Sequence, residues 1–293
     1  MHNKIFTVLG GDRRQLSVAS RLAAVADVRV FGLPCALLPE GVESFDDWRA
    51  ALKGAHAVLL PLPASPDGVR ISCPLMPELT APLLSDLLLE IANGTLLFGG
   101  RLTPAFKEQA QERGVPLVDY SEEDDFQVKN ALPTAEGAVE ILMRESERTV
   151  CGMPVAITGF GRVASALARL LVAMGADVTV GARKSAALHA AAAGGCRTVA
   201  LQGADSLCEL CRGKYAVFNT VPHWIFTREV LHTMPKGQLF IDLASSPGGI
   251  DAALARACDR RVIYALSLPG KYAPQTAGEI IAEAVLAAME GQL

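Results

Sequence analysis

The sequence has no apolar run long enough to cross a membrane. Its most apolar long window, residues 79–98, is broken by Pro82, Asp86, Glu90 and Asn93, whereas a span needs about 20 predominantly apolar residues. No leader is expected either, because residues 1–9 enter a strand pattern at once, without the apolar length or cleavage site of a signal peptide. Blocks of like charge are missing too. With 27 Lys+Arg against 31 Asp+Glu the net charge is −4, which argues against nucleic acid and leaves a small molecule as the expected ligand of a cytoplasmic chain. The seven cysteines are scattered and odd in number, which suits reduced thiols better than a disulfide framework. Cys208 and Cys211 alone have a metal-like spacing. Without a second pair or a histidine beside them, neither zinc nor redox chemistry is predicted, and no metal is expected.

What is present is a repeated strand-turn-helix pattern in a chain of 293 residues, a length that implies about two domains. The strongest signal begins at Val155-Ala156-Ile157-Thr158, a short apolar run that reads as a buried strand. It leads into Gly159-Phe160-Gly161-Arg162-Val163-Ala164, a Gly-x-Gly-x-x-Ala turn, and then into residues with helical spacing. Gly159 allows the sharp turn, Gly161 lets a pyrophosphate approach the backbone, and Ala164 lets helix and strand pack closely. The helix N-terminus behind them is an anion site. Gly175 ends that helix, and residues 176–181 supply a second strand.

The end of this second strand discriminates between cofactors. An NAD site usually places a carboxylate there, about 20 residues after the glycines, to hold the ribose 2′-hydroxyl. The chain has Ala182-Arg183-Lys184-Ser185 instead. Arg183 offers a planar fork of donors to a 2′-phosphate, with Lys184 and the Ser185 hydroxyl beside it, so NADP(H) is the expected cofactor.

Residues 5–9, 28–31, 57–60, 95–98 and 115–118 read as earlier strands, with helices over 77–92 and 103–113. Alternating strands and helices predict an α/β fold of two doubly wound parallel-sheet, Rossmann-like domains. The first, residues 1–130, is a Rossmann-like or flavodoxin-like substrate domain. The second, residues 131–293, is the NADP-binding Rossmann domain, with a C-terminal helix (about 276–293) packing back toward the first. The acidic run 119–126 reads as the connector that ends the first domain. A helix opening at Asn130 to Gly137 and running to about Ser146, and another opening at Pro274, are expected to cross between the domains and hinge a cleft, with Thr134 and Thr276 near it. Thr276 and Glu279 have capping-box spacing.

Polar residues at strand ends are the site candidates, since ligands of open α/β sheets bind beyond the carboxyl ends of the strands. In the first domain these are Asp12 and Arg13, with Arg14 as the alternative, helped by Ser65 and the Gly99-Gly100-Arg101 turn. Asp12 as a helix cap with solvated arginines is the structural alternative. In the second they are Asn219 to Pro222, with Thr220, Val221 and Pro222 on the cofactor. Ala244 and Ser245 join them, and Ser246, Pro247 and Gly248 face a substrate. His223 is a candidate proton carrier by type, and Lys271 a candidate carboxylate partner.

Together these stretches resemble the family of the dipicolinate synthase A subunit. The resemblance rests on Gly10 to Arg13, Leu132 to Gly137, Gly159 to Arg162, Gly181 to Arg183, Asn219 to Pro222, Asp242 to Gly249 and Leu268 through Pro274 to Gly278. It implies a sporulation oxidoreductase of the mother-cell cytoplasm. Such an enzyme, with a flavoprotein-like B subunit, converts a dihydrodipicolinate-type intermediate to dipicolinate using NADP(H). The residues by themselves also accommodate another two-domain NAD(P)-dependent dehydrogenase, or a non-catalytic partner that binds NADPH. A homodimer is the ordinary expectation for either.

Overall fold

The computed structural model describes residues 3–291. They divide into two compact units, one containing the residues up to Asn130 together with those from Ala273 onward, the other Ala131–Tyr272. The chain passes from the first unit to the second inside a helix and returns just before the last one.

The first unit runs β1 (Ile5–Leu9), α1 (Arg13–Ala23), β2 (Asp27–Phe31), β3 (Val42–Ser44), α2 (Trp48–Leu52), β4 (Ala57–Leu59), α3 (Leu84–Glu90), β5 (Leu96–Gly99), α4 (Pro104–Glu112), β6 (Leu117–Asp119) and the start of α5 (Asp124–Glu145). Its six strands are ordered β3-β2-β1-β4-β5-β6, with the central pairs in parallel register. That is the dinucleotide-type order 3-2-1-4-5-6 rather than the flavodoxin order. The apolar runs are continuous because both faces of the sheet are covered. Ala57 and Leu59 pack with Phe6, Val8 and Phe98 on one face, while Val58 and Leu60 pack with Leu9 and Leu97 on the other.

The second unit contains the rest of α5, then β7 (Pro154–Thr158), α6 (Arg162–Ala173), β8 (Asp177–Ala182), α7 (Ser185–Ala193), β9 (Arg197–Ala200), α8 (Ala204–Cys211), β10 (Ala216–Asn219), α9 (Arg228–Thr233), β11 (Leu239–Asp242), α10 (Ala252–Ala257), β12 (Val262–Tyr264) and α11 (Leu268–Tyr272). Its sheet, β12-β11-β10-β7-β8-β9, is parallel throughout. Counted from its own first strand, it has the same 3-2-1-4-5-6 order.

The last helix, α12 (Pro274–Glu290), completes the first unit. Ile280, Ile281, Val285 and Met289 join the core formed by Phe6, Val8, Val18 and Leu22. At Gly278 the two helix backbones approach so closely that a Cβ would lie 2.3 Å from the Arg14 carbonyl oxygen.

Four expectations are corrected. The helix over 77–92 begins only at Leu84, since Pro82 lacks the N–H and disfavours helix in the residue before it. The acidic run 119–126 is not a connector. Asp119 is buried and accepts from the amides of Arg101, Leu102 and Ser121, and Asp124 and Asp125 form the first turn of α5, where they complement the helix dipole. The helix expected to open at Asn130 therefore starts six residues earlier and carries Pro133 in its interior, at the cost of one backbone bond. Finally, Thr276 and Glu279 form no capping box, because the N-cap of α12 is Ala273.

Candidate functional site

The two units share one topology but differ at the turn after their first strand. In the first unit the Gly11 N–H donates to the Ser72 carbonyl at 2.7 Å, and a Cβ at Gly10 would meet that same oxygen at 2.5 Å. The Asp12 carboxylate caps α1 by accepting from the Arg14 amide at 3.0 Å. The Ser72 carbonyl and the Asp12 carboxylate thus occupy amides that a phosphate would otherwise bind.

In the second unit the corresponding turn is open. Gly159 has φ +84° and a Cβ there would meet Thr220 Oγ1 at 2.7 Å, so glycine is required for the turn itself. Gly161 is the N-cap of α6, with no side chain to satisfy the first-turn amides, and a Cβ placed on it would find no atom within 4 Å. Ala164 is fully buried and Phe160 and Val163 pack against the core. The residues therefore fit a pyrophosphate: bare amides at a helix N-terminus, beside space that a side chain would fill. Gly161→Val follows as a separating variant. It is expected to melt at the wild-type temperature yet to lose nucleotide binding by about 100-fold or more, a branched side chain standing in the diphosphate's place. A matched loss of stability would show the turn to be packed rather than open.

At the end of β8, Ala182 is buried while Arg183, Lys184 and Ser185 are exposed. Lys184 is the N-cap of α7 and its side chain makes no capping bond. Among the described residues neither the Arg183 nor the Lys184 side chain forms a hydrogen bond or ion pair. The opposite wall comes from β10 and β11. Thr220 Oγ1 donates to the Thr158 carbonyl at 2.7 Å, and Val221 N–H donates to Asn219 Oδ1 at 3.2 Å. Pro222 and His223 are exposed. The imidazole of His223 takes no hydrogen bond among the described residues, so no neighbour orients it as a base would require. Ala244 is buried, whereas Ser245, Ser246 and Pro247 are exposed on the loop after β11. Gly248, at φ +82°, lets the Ser245–Gly248 turn close.

Of the residues beneath this loop, only Asn219 stands among the sequence candidates. Thr158, Asn219 and Asp242 are register partners at the last positions of β7, β10 and β11, and all three are buried. The signal was available: three apolar strands each end on one hydrogen-bonding residue.

In the first unit Arg13 and Arg14 separate cleanly. Arg14 is buried, forms a bidentate pair with Asp12 and donates to the Leu62 carbonyl. Arg13 is exposed and lines an open hollow of about 340 Å³ with Ser17, Ser20 and Gln275. Ser65 donates to Asp67 at 2.8 Å, and the amides of Arg70 and Val69 with this hydroxyl hold the Asp67 carboxyl down at about 2. Thr134 is half-buried in α5 and Lys271 lies within α11 rather than in a loop. Cys208 accepts from Thr233 Oγ1 at 3.0 Å, and burial pushes the Cys211 thiol up to about 12.

Residues 5–121 match the family model of the N-terminal domain of the dipicolinate synthase A subunit, and residues 134–268 that of the D-isomer specific 2-hydroxyacid dehydrogenase NAD binding domain. The chain is 30% identical over 289 residues to the dipicolinate synthase A subunit of Bacillus subtilis (strain 168), a match that covers 94% of this chain and 92% of that one. It belongs to the dipicolinate synthase A-subunit family. Among solved structures of that protein, the one from Bacillus halodurans superposes with a TM-score of 0.89 at 28% identity, over 97% of each chain. The Bacillus subtilis structure gives 0.86 at 29% identity, over 100% of this chain and 99% of that one. As a dipicolinate synthase A-subunit family member with a dehydrogenase-type domain, the chain is an oxidoreductase that uses a nicotinamide nucleotide. No described helix is long and apolar enough to cross a membrane.

Proposed function

We propose that the chain is an NADP(H)-dependent dehydrogenase that converts a dihydrodipicolinate-type intermediate to dipicolinate, pyridine-2,6-dicarboxylate. It would act with a flavoprotein-like B subunit in the mother-cell cytoplasm during sporulation. The observation that carries the reading is the open Gly159–Ala164 turn with an unpaired Arg183 at the end of β8, in a chain of this family. The conversion removes one hydride and one proton from the dihydropyridine ring, and the aromaticity gained favours it. When bound, an oxidised nicotinamide would supply the hydride acceptor, and the proton would pass to water. What the protein's own residues supply is position and charge. Amides of Arg162 to Ala164 hold the pyrophosphate, Arg183 with Lys184 and Ser185 holds the 2′-phosphate, and Thr220 to Pro222 with Ala244 and Ser245 line the remaining nucleotide.

The substrate carries two carboxylates and needs two clamps. Arg13, with Asp12 capping the helix it opens and Ser65 as a further donor, is proposed for one; Ser246, Pro247 and Gly248, with Thr134, for the other. Arg13→Ala is then expected to raise KM for the dihydrodipicolinate about tenfold, the loss of one charge-assisted bond, without changing the Kd for NADPH. Unchanged kinetics would remove Arg13 from the site. The deciding experiment mixes the purified chain with freshly generated dihydrodipicolinate, with and without its B subunit, and follows dipicolinate absorbance with NADP and with NAD. Faster formation with NADP supports reaction and cofactor together. Tight NADPH binding without turnover in any combination would make the chain a nucleotide-binding partner without catalysis of its own.

A further inference from the structure

Beneath the loop after β11 lies a continuous buried polar chain. Thr158 Oγ1 donates to Asn219 Oδ1 at 2.6 Å, and Asn219 Nδ2 donates to Asp242 Oδ1 at 2.8 Å. Asn219 is fully engaged, since its Oδ1 also accepts from Val221 N–H and its Nδ2 also donates to the Val221 carbonyl at 3.0 Å. The chain ends on Asp242, 1% exposed. Two loop amides donate to its carboxylate, Ala244 at 3.1 Å and Gly249 at 2.8 Å. Packing around it leaves no slack, for a Cβ at Gly249 would lie 2.2 Å from Asn219 Nδ2 and one at Gly248 2.9 Å from Asp242 Oδ2.

Every partner of Asp242 is a neutral donor, and no lysine, arginine or histidine pairs with it among the described residues. Removing a carboxylate from water without a cation costs several kcal/mol, and hydrogen bonds offset this only in part. The charge also reaches its surroundings: the Tyr264 hydroxyl is pushed up by burial first and by Asp242 and Asp251 next. Three N–H donors hold this carboxylate, and a positive charge brought near it by a ligand would add to them.

Topology says which part of the ligand arrives there. In a 3-2-1-4-5-6 sheet the dinucleotide lies across the strand ends where the order reverses, here between β7 and β10. Its adenosine ribose goes to the end of β8, so its other half lies toward β10 and β11. The nicotinamide ring of that half carries a positive charge when oxidised and none when reduced. We propose that Asp242 is a specificity-determining residue that supplies the counter-charge for the oxidised ring and makes this chain favour the oxidised over the reduced nucleotide. The inference rests on the nucleotide reading above, and it fits a dehydrogenation in which the oxidised form must be the one that binds.

The test measures Kd for NADP⁺, NADPH, NAD⁺ and NADH on the full chain, as wild type, Asp242→Asn and Asn219→Ala. The wild type should hold the oxidised form of its nucleotide more tightly than the reduced form. Asp242→Asn, which keeps the shape and removes the charge, should raise the ratio Kd(oxidised)/Kd(reduced) about tenfold, the size expected of one partly screened charge. Asn219→Ala, which keeps the charge and breaks the chain, should weaken both forms alike and leave the ratio within about twofold of wild type. A ratio unmoved by Asp242→Asn, or moved equally by Asn219→Ala, overturns the proposal in favour of a purely positioning role. Should Asp242→Asn not fold, tighter wild-type binding of the reduced form overturns it just as well. Binding of none of the four nucleotides would remove the cofactor reading itself.

Discussion

Arg183→Ala is expected to raise the Kd for NADPH roughly 10- to 100-fold while moving the Kd for NADH less than twofold. The size follows from one lost charge-assisted, bidentate contact to a phosphate, about 1.5–3 kcal/mol. The selectivity follows from position. Arg183 is the first exposed residue after β8, its guanidinium has no partner among the described residues, and the strand end offers no carboxylate for a ribose hydroxyl. Lys184, an ammonium on a flexible stem, replaces a planar fork poorly, so the neighbouring cation should not mask the effect. Fluorescence titration of both reduced nucleotides reads it directly. An equal loss for NADPH and NADH, or none, would place the 2′-phosphate elsewhere.

The second large effect concerns stability, at Gly278→Ala. In an ordinary helix this change favours folding by up to about 1 kcal/mol. In α12 the added Cβ would stand 2.3 Å from the Arg14 carbonyl oxygen and 2.6 Å from Ser17 Cβ. Both belong to the helix packed against it, and neither is the free end of a flexible side chain. Overpacking of this sort costs about 1–3 kcal/mol, occasionally more, so the clash outweighs propensity. A net loss near 2 kcal/mol should lower the melting temperature of the first unit by roughly 4–8 °C and leave nucleotide affinity unchanged, since the nucleotide turn lies in the other unit. A rise in melting temperature would mean that α1 and α12 are less closely packed than described.

Much of the second unit could be read from the chain because its signals are local. Strand β7, the glycine turn, Ala164 and Gly175 all lie within one βαβ segment, and each is fixed by sterics that a short window contains. Gly175, at φ +81°, ends α6 as expected. Strands buried on both faces were legible as apolar runs, whereas the edge strands β3 and β9, Val-Glu-Ser and Arg-Thr-Val-Ala, are half solvated and gave no pattern. Pro133 misled about α5, because the acidic turn that starts this helix resembles a solvated linker until Asp119 is seen to be buried. The role of Arg14 was out of reach for a different reason. Its carbonyl partner on Leu62 is 48 residues away, and nothing in the sequence separates it from Arg13, which faces water one position earlier.

The discontinuity of the first unit bears on how the molecule comes into being. Protein synthesis delivers residues in order, and domains tend to close as they emerge. Here the earliest 130 residues must wait for the last 20 or so, because α12 covers apolar positions of α1, β1 and their neighbours. The nucleotide-binding unit, continuous from Ala131 to Tyr272, can be complete first, although it is made second. Until α12 leaves the ribosome the nascent amino-terminal half exposes a greasy flank. A premature stop near residue 272 would therefore not trim an accessory tail but strand that half uncovered, a substrate for chaperones and proteases.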